Sequence, residues 1–288
     1  MTDPALRHRQ ARWAGWASLV ANTGIVVTGG AVRLTGSGLG CPTWPRCTEE
    51  DFTPHGALDF HSAIEFGNRL LTFVLVAVAV LTFVAAWRTG RRHLVGLAAV
   101  LAAGIPLQAV IGGITVLTDL NPWIVSLHLL LSMALVGLSV RFLQVLDRPT
   151  PAVGGPATTL AWIVLAAAWV VLYLGTVVTG SGPHAGDADS PRNGLDPLQW
   201  SQLHADAVFL YLGLTIGLLL CLMAVRADRA AVRVVVWLLV AQLAQGAIGF
   251  VQYFNDLPEL LVGLHMLGAA ILSALTTAAL LRVRHPEA

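Results

Sequence analysis

Eight apolar runs, each long enough to cross a bilayer as a helix, constrain the fold of this chain more than any other feature. A crossing takes about 20 residues at roughly 1.5 Å rise per residue. The runs fall near residues 13–32, 60–87, 94–117, 123–146, 160–179, 198–225, 232–254 and 257–283. They have helical length, not the short alternating stretches of a transmembrane barrel, so the expected fold is an all-α polytopic membrane protein. Composition agrees, because 56% of residues are apolar and 11% charged, which excludes a disordered or nucleic-acid-binding chain. The net charge of +1 carries no information about partners beyond the lipid bilayer itself.

Orientation follows from the basic residues, all of which are arginine. Arg7, Arg9 and Arg12, then Arg88, Arg91 and Arg92, then Arg141 and Arg148, then Arg226, Arg229 and Arg233, then Arg282 and Arg284 fall on one side of an eight-span arrangement. Arginine-rich connections stay in the cytoplasm, so both termini are expected there. The opposite connections, near 33–59 and 180–197, hold Glu49, Glu50, Asp51, Asp59, Asp187, Asp189 and Asp196. The first span runs too long for a signal-peptide core and is expected to remain uncleaved.

Two internal matches divide the chain. Gly24-Ile-Val-Val-Thr-Gly29 recurs as Gly175-Thr-Val-Val-Thr-Gly180 at an offset of 151. Gln108, Gly112, Asp119, Leu120, Leu127 and His128 recur at an offset of 137 as Gln245, Gly249, Asp256, Leu257, Leu264 and His265. Gln, Asp and His are uncommon at membrane depth, yet here they keep register. A parallel repeat of two four-helix bundles is expected, residues 1–150 and 151–288.

Of nine histidines, His8, His93 and His285 belong to the cytoplasmic side, and His55 and His184 to outer loops, where all five should be solvated. His61, His128, His204 and His265 instead begin the second, fourth, sixth and eighth spans, one each. Ionisable groups at membrane depth need partners, and imidazoles on facing helices of a four-helix bundle are suited to grip the iron of a macrocycle. Zinc fits less well, since a structural zinc site wants four close N or S ligands and Cys221 stands alone. Heme is the expected cofactor. His61, Glu65 and Asn68 share a helical face by spacing, whereas the stretch after His204 has no carboxylate one turn on. Glu65 therefore suggests catalysis in the N-terminal half, although pairing with Arg69 four residues on is an open alternative.

The first outer loop carries Cys41 and Cys47 in a Gly/Pro-rich segment on the oxidising face. A disulfide there would cinch the loop, in a structural or a redox-active role.

Gly29-Gly-Ala-Val-Arg-Leu-Thr-Gly-Ser-Gly-Leu-Gly-Cys-Pro-Thr-Trp-Pro-Arg-Cys47, with Glu65-Phe-Gly-Asn-Arg69 and the repeated Gln-to-His segments, resembles the heme A synthase family across essentially all eight spans. The resemblance implies oxidation of one porphyrin methyl of heme O to a formyl group, giving heme A for terminal oxidases. It implies a substrate heme between the second and fourth spans, with Glu65 beside it and His128 as ligand. It also implies a heme b between the sixth and eighth spans, held by His204 and His265. Where the family pattern is Glu-x-x-His-Arg, this chain has Asn68. His61 to His128 is 67 residues, whereas His204 to His265 is 61. Either His61 replaces the family's ligand or the substrate heme has His128 alone. The second outer loop carries no cysteine.

Implied partners are heme O, an electron acceptor, a heme O synthase, terminal oxidase assembly factors and a second copy of the chain. Two other functions explain the histidines: a diheme membrane cytochrome for electron transfer, and a heme transporter or chaperone. Only the synthase needs Glu65 and the loop motif, and only it generates a formyl-bearing heme.

Overall fold

A computed structural model describes residues 3–54, 60–147 and 155–284, and within them the chain is helical with no strand. The helices are α1 (Pro4–Leu34), α2 (Phe60–Arg88), α3 (Arg92–Leu117), α4 (Pro122–Asp147), α5 (Pro156–Ser181), α6 (Pro197–Ala224), α7 (Arg229–Phe254) and α8 (Glu259–Val283). All eight are long and apolar enough to cross a membrane. The expected boundary at 150/151 and the residues Arg148, His55, Asp59 and His285 lie outside the described residues.

Helix ends follow local chemistry. α1 starts well before its apolar run because Asp3 accepts a hydrogen bond from the Ala5 N–H at 2.9 Å and Pro4 occupies the first turn. Asp196 caps α6 in the same way, accepting from Leu198 and Gln199. α8 begins at Glu259, not Leu257, because Leu257 is left-handed, with φ 57°. Asp256 beside it has φ 57°, and the matching Asp119 and Leu120 have φ 51° and 58°. Two adjacent non-glycine residues in this region are costly, at roughly 1–2 kcal/mol each. The same dipeptide adopts the same costly turn in both halves.

Helices α1 to α4 pack as a closed ring, each against the next and α4 back against α1; α5 to α8 do the same. The rings meet along α1, α4, α5 and α8. Within each ring the diagonal pairs, α2 with α4 and α6 with α8, keep their backbones apart. The two larger apolar clusters lie toward the end of each ring that carries the termini, and a smaller one of Val26, Met133 and Ala270 sits between the rings. Ala11, Leu75, Ala86, Leu94, Ala98 and Phe142 fill the larger cluster in one half, and Val164, Leu218, Leu222, Val235 and Leu238 that in the other. At the opposite end the core gives way to the histidine-bearing turns.

That opposite end is closed by the two outer loops, which knit together. Gly38 N–H donates to the Gly186 carbonyl at 2.8 Å, and Arg33 donates to the carbonyls of His184 at 2.6 Å and Thr179 at 3.0 Å. His184 is half-buried and pairs through Nε2 with the Leu257 carbonyl at 2.9 Å, so this ring is held rather than solvated.

Candidate functional site

In the C-terminal ring, His204 enters from α6 and His265 from α8. Each ring lies against a glycine of the preceding helix. A Cβ on Gly175 would stand 3.1 Å from His204 Cε1, and one on Gly249 would stand 3.3 Å from His265 Cε1. The Nδ1 atoms of both rings are buried without a hydrogen-bond partner among the described residues. Gln245, one turn before Gly249, donates from Nε2 to the His265 carbonyl at 2.6 Å, which fixes the turn that carries the ring. Two turns past His204, the Tyr211 hydroxyl pairs with Thr276 of α8, and Gln242 donates to Thr215 at 2.9 Å. The first bond ties α6 to α8 and the second ties α7 to α6, on the side of the apolar core.

The N-terminal ring repeats half of this arrangement. A Cβ on Gly112 would stand 3.3 Å from His128 Cε1, Nδ1 of His128 is buried without a partner among the described residues, and Gln108 donates to the His128 carbonyl at 3.0 Å. Gln108 also reaches Ser132 Oγ at 2.5 Å.

The α2 side differs. Glu65 is 5% exposed and does not stand free. One oxygen accepts from Arg69 Nη2 at 2.6 Å and Nε at 3.1 Å; the other accepts from the Cys41 N–H at 2.5 Å. Arg69 also donates to the carbonyls of Cys41, Thr43 and Arg46 at 2.8, 2.9 and 3.1 Å. Cys41 and Cys47 form a disulfide, so the carboxylate–guanidinium pair grips both the start and the interior of the cross-linked loop. The i+4 pairing of Glu65 with Arg69 is thus present, and it is part of a loop anchor, not an isolated helix-surface pair.

His61 is exposed at the outer start of α2, and its Nδ1 pairs with Ser37 Oγ at 3.0 Å. Asn68 turns toward α1, where Thr28 donates to its Oδ1 at 2.8 Å. Gly24, one turn before Thr28, has open space where a Cβ would sit. The helical face shared by His61, Glu65 and Asn68 therefore fans out to the loop, the disulfide and α1, and the three side chains do not converge. Among the described residues no three His, Cys, Asp or Glu side chains gather as a metal-ion cluster.

Sequence reasoning singled out the histidines by type but missed what seats them. Gln108 with Gly112 and Gln245 with Gly249 stand four residues apart in both repeats, and that i, i+4 pattern was the available signal for a ring-packing face.

Residues 11–189 match the model of the COX15-CtaA family, described as cytochrome oxidase assembly protein. The chain is 25% identical over 213 residues to a heme A synthase of Staphylococcus epidermidis, spanning 68% of this chain and 70% of that protein. It is 31% identical over 141 residues to a heme A synthase of Geobacillus thermodenitrificans, spanning 45% and 42%. A heme A synthase of Lysinibacillus sphaericus is 30% identical over 143 residues, spanning 49% and 46%.

Proposed function

This chain belongs to the COX15-CtaA family of cytochrome oxidase assembly proteins, and from that premise we propose that it acts as a heme A synthase, a membrane oxidoreductase that converts a methyl group of heme O to a formyl group. One observation carries the reading at the level of the site. His128, His204 and His265 are half-buried imidazoles whose Nδ1 atoms are buried with no hydrogen-bond partner among the described residues, and each lies against a glycine of the preceding helix in a ring whose diagonal helices stand apart.

The residues of the C-terminal ring fit a resident heme b. His204 and His265 would hold its iron from α6 and α8, because an imidazole is a good axial ligand for heme iron. When bound, such a heme supplies one-electron transfer. Gln245 and Gly249 orient His265, Gly175 orients His204, and the Tyr211–Thr276 bond bounds the space on the core side.

In the N-terminal ring, His128 holds the substrate iron, and Gln108 and Gly112 orient His128. Glu65 accepts a proton or positions water at the reacting methyl group, and Arg69 and the Cys41 N–H fix where that carboxylate points. His61 sits at the outer rim of the same ring, where it flanks the way in. Methyl-to-formyl conversion is a net oxidation, so the reading requires an electron acceptor as partner. It places both termini in the cytoplasm and both heme sites near the outer face, the side that the arginine distribution assigns to the loops.

The purified protein tests the resident heme. A low-spin b-type spectrum is expected, and His265→Ala should abolish or strongly reduce it. A full low-spin signal in that variant would overturn the assignment of the C-terminal pair.

A further inference from the structure

We infer that α2 supplies no iron ligand to the N-terminal site, and that Asn68 presents its side-chain amide as a hydrogen-bond donor on the open face of a heme held by His128 alone. The inference rests on the heme reading above and deepens it.

Register carries the first step. In the C-terminal ring, His204 of α6 lies on Gly175 of α5. The matching positions in the N-terminal ring, at offsets of 136 and 151, are Asn68 of α2 and Gly24 of α1. The Thr28–Asn68 hydrogen bond of 2.8 Å confirms that Asn68 stands against this same stretch of α1, one turn from Gly24. At Gly175 an imidazole fills the space; at Gly24 nothing lies within 4 Å. The N-terminal ring thus keeps the room that the second imidazole occupies in its twin.

Chemistry carries the second. An amide is a poor ligand for heme iron but a good hydrogen-bond donor. Asn68 Oδ1 is taken by the Thr28 hydroxyl, which leaves the Nδ2 hydrogens as the groups it can offer. The nearest alternative imidazole on α2 is His61, seven residues earlier and hence about 10 Å farther out along the helix. Its ring is exposed at the outer start of α2. Distal polarity and access decide whether a heme binds an external ligand or only passes electrons. One fold therefore holds a closed, doubly ligated site and an open, singly ligated one, distinguished by Asn68 in place of an imidazole.

Carbon monoxide binding to the ferrous protein, purified after heme O has been supplied, reads this directly and independently of turnover. The wild type should carry one low-spin heme that ignores carbon monoxide and one heme that binds it. Asn68→His should convert the second heme to a low-spin form and cut its carbon monoxide binding at least tenfold. Asn68→Leu, which needs no new ligand to form, should retain binding and raise the dissociation rate of carbon monoxide several-fold, because the donor is lost. His61→Ala should leave spectrum and binding unchanged. A wild-type second heme that is low-spin and inert, and that becomes reactive in His61→Ala, would overturn the inference and give the ligand to His61. Absence of any second heme from the wild type and from every variant would overturn the heme O reading itself, and the inference with it.

Discussion

Glu65 sits between a guanidinium and a backbone N–H, so its two oxygens have separate jobs: one holds Arg69, and the other holds the start of the disulfide loop. Glu65→Gln preserves size and one of these contacts but cannot take up a proton. Heme content should stay at the wild-type level while heme A yield falls at least tenfold, in line with the roughly 10²–10⁴-fold contribution of a general acid–base group. An unchanged yield would confine Glu65 to anchoring the loop. The glycines make a second residue-scale prediction. Gly249→Ala places a methyl 3.3 Å from His265 Cε1, whereas Gly246→Ala, one turn earlier on α7, enters open space. Occupancy of the C-terminal heme, read from its absorbance per protein, should drop in the first variant and hold in the second. Equal occupancy in both would mean that the ring does not need this seat. Residue types betrayed the histidines and Glu65 in the sequence, since both are expensive at membrane depth. Where His61 and Asn68 point was not legible. That depends on Ser37 and Thr28, which reach them only once the loop and α1 have folded against α2.

The first outer loop is the element on which the site depends most. Its order comes from the Cys41–Cys47 bond, the Arg69 grip, the Trp44 ring packed against Gly113 of α3 and the Gly38–Gly186 contact with the second loop. A disulfide closing a ring this small contributes about 2 kcal/mol. Cys47→Ser should therefore lower the Tm of the detergent-solubilised protein by about 5 °C. Because Cys41 N–H is also a donor to Glu65, the same variant should lower heme A yield. A variant with unchanged Tm and yield would show that Arg69 holds the loop unaided. The spans themselves were readable from hydropathy because a bilayer leaves no other way to satisfy a backbone. Helix ends were less so. The start of α1 is set by the Asp3 cap outside its apolar run, and the start of α8 by a left-handed Asp-Leu turn that hydropathy does not register.

At the scale of the whole molecule, two rings share one design and differ at a few positions. The repeated Gln, Gly and His residues were visible as sequence matches, and they recur as the same contacts, Gln108 to the His128 carbonyl and Gln245 to the His265 carbonyl. What the repeat could not reveal is that both larger apolar clusters lie toward one end, leaving the other for the imidazoles. The rings meet along α1, α4, α5 and α8, so on the proposed reading the two heme sites are neighbours across that seam. The central claim is that this pair of sites oxidises heme O, and the pigment extracted from cells that make heme O and express this chain as their one route onward tests it most directly. The account predicts a formyl-bearing heme A, present with the wild type and lost with Glu65→Gln. Extraction of unaltered heme O alone, from cells whose purified protein nonetheless carries a low-spin heme, would contradict it and leave an electron carrier or a heme-transfer protein in its place.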